Sequence, residues 1–174
     1  MDHSTSSTTL KWGLAYEAVY AVVTLLAGIA FSKESPTIQS LSFIRGHNAI
    51  YSVLSIWLNN VASFFLGASF VILSPFIGLA VVAYLAFSGS QILTSFLSGH
   101  CSLSHLIYGL FLEGQAYVLL WSATTKVYYV QNKCQDLTCK WKATLKLVKK
   151  LVLYAFLIFF ILAIVEVAEV KAFA

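Results

Sequence analysis

Between Arg45 and Glu113 the chain carries not one Asp, Glu, Lys or Arg. A water-soluble domain keeps about a quarter of its residues charged, because its surface must face water. In a chain of 174 residues, so long an uncharged stretch would leave wide apolar patches on any soluble fold. Lipid is the natural solvent for it. The overall balance agrees: 59% of the residues are hydrophobic, 10% are charged and the mean hydropathy is +0.82. The expected fold is an all-α, polytopic transmembrane helix bundle. A polar tail over 1–11 precedes a single membrane domain over 12–174.

A helix needs about 20 apolar residues to cross the hydrocarbon core. Five stretches meet that length, near 12–31, 50–73, 76–97, 103–126 and 152–170. Proline lacks an amide donor and restricts the residue before it, so Ser74-Pro75 interrupts the second and third stretches, as a turn or as a kink. The segment 127–150 reads as a basic loop. Its later part sets Trp141, Leu145 and Val148 among lysines, which suits an amphipathic helix at the membrane surface before the last span. A short piece over 41–44 could lie at the opposite interface.

Charge orients these spans. Lys11, Lys126, Lys133, Lys140, Lys142, Lys146, Lys149 and Lys150 share one side, whereas Lys33, Arg45 and Lys171 share the other. The positive-inside rule then places the N-terminus in the cytoplasm of a multi-pass cell-membrane protein. The net charge of +4 is read as this topology signal and as attraction to anionic headgroups, with Lys140, Lys142, Lys146, Lys149 and Lys150 as the contact residues. No zinc finger or arginine-rich arm accompanies it, so no nucleic-acid partner is expected. Cys134 and Cys139 are near enough in sequence to pair. A cytoplasmic loop argues that they are free thiols.

Polar groups inside a span are costly and therefore informative. Glu113 lies mid-span and should face the bundle interior, a watery cavity or another subunit. Three roles are open to it: interhelical packing, ion or proton movement, and contact with a partner. Asn59 and Asn60 point about 100° apart, so at least one must face protein. Glu166 and Glu17 sit nearer span ends, where a snorkelling or solvated carboxylate is the simpler expectation. His105, eight residues before Glu113, is placed close to the same helix face and could form a relay with it. Small residues at Gly67, Ala68, Gly78, Ala80 and Gly89 should let the second and third helices approach their neighbours closely.

Several enzyme classes lack their signatures here. There is no His-Glu-x-x-His, no Gly-x-Ser-x-Gly and no Walker loop, and the single arginine is Arg45. His100 and Cys101 lack the regular spacing of a metal site. The expectation is a non-enzymatic protein without catalytic residues, cofactor or metal. Its partners would be the bilayer and either copies of itself or other membrane proteins.

The intramembrane polar residues carry a family resemblance. Leu58-Asn59-Asn60-Val61 followed by Gly67, the small-residue start Ser74-Pro75-Phe76-Ile77-Gly78, Glu113 with Ala116, and Ala163-Ile164-Val165-Glu166 together resemble the stage II sporulation protein M family, small multipass membrane proteins of bacteria and archaea. Four residues before Glu113, where that family carries histidine, this chain has Gly109. The resemblance covers roughly residues 12 to 170. It implies a membrane scaffold or membrane-organising component; the alternative is a small ion- or proton-coupled transporter or channel built on the intramembrane glutamate.

Overall fold

The computed structural model describes residues 3–31, 44, 46–99 and 102–172. Among them there are helices and no strands, which is what lipid demands of a spanning segment: every backbone N–H and C=O must be satisfied within it. We number the helices α1 (His3–Ala30), α2 (Ala49–Leu73), α3 (Pro75–Leu97), α4 (Leu103–Leu106), α5 (Gly114–Lys133) and α6 (Leu137–Ala172). A π-helical segment, Ile107–Glu113, joins α4 to α5, so residues 103–133 form one continuous rod. With α4, the π segment and α5 counted together, five helices are long and apolar enough to cross a membrane. The protein is an integral membrane helix bundle.

Side-chain caps set several of the helix starts. Asn48 accepts from the Tyr51 amide at 2.8 Å, and Ser102 accepts from the His105 amide at 3.2 Å. At Ser74 one helix ends and the next begins: its amide closes on the Phe70 carbonyl at 3.0 Å, while its hydroxyl caps Phe76. Pro75 takes the first helical position of α3, where a missing N–H costs nothing. Ser74-Pro75 is a hairpin turn and not a kink. In one bent helix Ser63 and Ser88 would stand about 37 Å apart at 1.5 Å per residue, yet both line the same cavity between α2 and α3.

The bundle is built around α5, which packs against α1, α2 and α6; α1 also lies along α3, and α2 along α6. Tyr16, Phe64, Val82, Val118 and Phe159 are fully or almost fully buried at this core. A second, smaller cluster joins Ile44 to Val167 and Val170 at the far end of α6.

Three boundaries differ from the sequence reading. Most of the tail over 1–11 belongs to α1, which starts at His3. The fourth span runs on to Lys133, and the supposed loop over 127–150 shrinks to a short turn around Gln135. Asp136 ends that turn by capping the next helix, its carboxylate accepting from the Cys139 amide. The amphipathic segment is not a separate interfacial helix but the beginning of α6. At 36 residues, α6 is about 54 Å long, well beyond a hydrocarbon core of about 30 Å. Its exposed lysines therefore continue the line of the span beyond that thickness. The same turn corrects the expectation of free thiols: it brings the Cys134 and Cys139 Cα atoms to 5.8 Å, and the two side chains are joined as a disulfide.

The interfacial reading of 41–44 falls outside the described residues except for Ile44. So do Lys33, Arg45, His100 and Cys101.

Candidate functional site

The spans hold their register through side chains that donate across helix boundaries to backbone carbonyls. Tyr16 donates to Pro75 at 2.9 Å, Tyr20 to Leu110 at 3.0 Å and Thr24 to Ala86 at 3.2 Å. Tyr108 donates to Leu162 at 2.7 Å, Tyr117 to Asn60 at 3.0 Å, and the Trp121 indole to Phe64 at 3.1 Å. Each bond reaches a carbonyl on a different span. Glycines make the room: a Cβ at Gly67 would collide with the Trp121 ring, and one at Gly78 with Tyr16. Gly67, Gly78 and Gly89, named from sequence, thus have specific aromatic partners, whereas Ala68 is buried in the core and Ala80 is exposed at the edge of a cleft.

Near the middle of the rod the helix widens. The Gly114 amide bonds to the Gly109 carbonyl, an i→i+5 step, so the Leu110 carbonyl loses its ordinary α-helical partner. Tyr20 supplies the replacement. This π segment ends on Glu113 and sets the direction of its side chain.

Glu113 is half-buried, and its nearest polar neighbour is the Asn60 side chain on α2. Asn60 is 5% exposed, and its amide nitrogen has no partner that meets hydrogen-bond geometry. The two groups are therefore adjacent without a well-formed bond between them. Glu166, from α6, comes within electrostatic range of Glu113, and the Tyr108 hydroxyl is its polar neighbour. At 6% exposed, Glu166 is neither snorkelling nor solvated. Four segments thus bring Asn60, Tyr108, Glu113, Tyr117 and Glu166 together.

Beside this cluster, α2 and α3 diverge from their hairpin and leave a cavity of about 730 Å³. Gly109, Glu113, Gly114 and Tyr117 line its inner side, and Asn59 reaches it from the α2 side. Asn59 and Asn60 accordingly divide their roles: one faces the cavity and the other the protein interior. Leu66, Phe70, Ile77 and Tyr84, all exposed, also border it.

His105 does not join this site. It is buried outside the cavity lining, with Glu169 as its charged neighbour, about two helical turns along the rod from Glu113. Glu169 lies at the end of the bundle and accepts from the Ser102 and Ser104 hydroxyls. Lys140, Lys142, Lys146, Lys149 and Lys150 are exposed at the opposite end, the end where Trp12 donates to Tyr129 and packs edge-on against Phe76 at 4.8 Å. Such aromatic residues are enriched at the bilayer–water boundary. Sequence reasoning missed the tyrosines. Their signal was present as hydroxyl-bearing rings inside apolar spans, but the glycine faces that receive them lie on other helices.

No protein-family model, curated protein or solved structure matches the chain.

Proposed function

We propose that the chain is a non-enzymatic membrane-organising component of the stage II sporulation protein M type, acting through contacts with copies of itself or with other membrane proteins. The observation that carries this reading is the set of cross-helix hydrogen bonds from tyrosine, tryptophan and threonine to backbone carbonyls. They tie the spans into one fixed body, which suits a component that presents a constant shape in the bilayer. The meeting of Asn60, Glu113 and Glu166 also supports it, since these residues belong to the motifs on which the family resemblance rests. The lysine asymmetry supports a cytoplasmic N-terminus in the cell membrane.

Photo-crosslinking in native membranes, from lipid-facing positions such as Leu26, Leu119 and Ile161, tests this reading. Discrete self-dimers or one defined heteromer are expected from one face of the bundle. A monomer at every position contradicts it.

The second reading, an ion- or proton-coupled transporter or channel, draws on the contact between Glu113 and the cavity. Against it stands the border of that cavity. The exposed apolar residues Leu66, Phe70, Ile77 and Tyr84 stand along the flanks of two spans, so the opening is toward lipid.

A further inference from the structure

The cavity between α2 and α3 has the dimensions of a small-ligand site. Pockets for small molecules run to about 300–1,000 Å³, are mostly apolar, and occur between the helices of bundles with a few polar groups placed to orient the ligand. Here the volume is about 730 Å³. Leu66, Phe70, Ile77 and Ile92 provide apolar walls, while Glu113 and Asn59 provide polar groups.

The cleft is long enough for an alkyl chain: Asn59 to Phe70 covers about 16 Å along α2 at 1.5 Å per residue. Its mouth is bordered by the exposed apolar side chains of Leu66, Phe70 and Ile77, so a chain can enter sideways.

The polar end specifies the head of such a chain. Glu113 offers carboxyl oxygens at the cavity, and Glu166 stands within electrostatic range behind it, so an anionic head is disfavoured and a hydrogen-bond donor is favoured. A carboxyl group facing an apolar cleft is costly, and a donor delivered to Glu113 reduces that cost.

We propose that this cleft binds a single-chain amphiphile drawn sideways from the bilayer, its head donating a hydrogen bond to Glu113 and its chain lying between α2 and α3. This goes beyond the scaffold reading and does not depend on it.

The test uses the full-length protein in nanodiscs with two photoreactive probes, diazirine-bearing 1-hexadecanol and the corresponding hexadecyl methyl ether, which lacks the donor. Labelled peptides are mapped by mass spectrometry. The alcohol is expected to label 59–70 and 77–92 saturably, competed by unlabelled 1-hexadecanol, at least ten-fold more than the ether does. Glu113→Gln, which keeps an acceptor, should retain most of that labelling, and Glu113→Ala should lose it. Ala80→Trp, at an exposed position on the cleft, should block the alcohol without touching the core. Equal labelling by alcohol and ether, or labelling that survives both Glu113→Ala and Ala80→Trp, would overturn the proposal. Crosslinks from the cleft to a helix of a second copy would overturn it as well.

Discussion

The Tyr20 hydroxyl occupies the space that a Cβ on Gly114 would need, and from there it donates to the Leu110 carbonyl at 3.0 Å. One contact therefore joins α1 to the rod, repairs the carbonyl released by the π segment, and fixes the turn that ends in Glu113. The glycine is required by close approach and not by an unusual backbone conformation.

Removing either half of this contact should be measurable. Tyr20→Phe leaves the Leu110 carbonyl without its donor and is expected to cost about 1–2 kcal/mol. Gly114→Ala forces the Tyr20 ring to move and should cost more. Tyr20→Ala in the Gly114→Ala background should recover part of the loss, because the obstructing ring is gone. Unfolding by sodium dodecyl sulfate in mixed micelles measures all three. Additive losses in the double variant would show that the two residues do not share this contact.

Glu166 is buried beside Tyr108, so its replacement should follow hydrogen-bonding capacity and size more than charge. Glu166→Gln is expected to stay within about 1 kcal/mol of wild type, whereas Glu166→Ala opens a cavity beside Tyr108, at about 2–3 kcal/mol. The same unfolding assay reads both. A Gln variant as damaged as the Ala variant would mean that the carboxyl does something an amide cannot.

The Cys134–Cys139 hairpin allows a direct test of orientation. The proposed orientation puts it in the cytoplasm, where disulfides are ordinarily kept reduced. The hairpin holds the two cysteines close enough to bond, yet a reducing compartment would keep that bond open. Differential alkylation of intact cells, quenched before lysis, should therefore find both as thiols that pair once the reductant is removed. A pair already protected from alkylation in cells would place the hairpin outside and invert the topology.

If the same lysines set orientation, replacing Lys140, Lys142, Lys146, Lys149 and Lys150 together with glutamine should yield a mixture of orientations. Protease accessibility of a C-terminal tag reports the ratio. A single unchanged orientation would assign the topology signal elsewhere.

The uncharged stretch before Glu113 and the lengths of the apolar runs made the helical bundle legible in sequence, because burial in lipid depends on composition and length. Ser74-Pro75 marked a break but not its form; the cap geometry of Ser74 and the shared cavity make it a hairpin. Residues 127–150 looked like a loop because they are polar, yet polar residues form helices readily once a helix projects beyond the hydrocarbon. Glu113, Glu166 and Asn60 were found individually, since a polar residue in a span stands out. Their convergence was not legible, and neither was the exclusion of His105. The first depends on the partners of glycines across the bundle, and the second on the distance of about two turns along the rod between His105 and Glu113. The tyrosine donors were hidden for the same reason: a bond from Tyr108 to Leu162 joins positions that sequence spacing does not relate.

On the proposed function, this protein organises the membrane and does not conduct through it. The most direct measurement is ion and proton flux in proteoliposomes, comparing wild type with Glu113→Gln at matched incorporation. Both are expected to be indistinguishable from empty liposomes across several monovalent ions, divalent ions and protons. Flux through the wild type that disappears in Glu113→Gln would contradict it and place Glu113 in a conduction path.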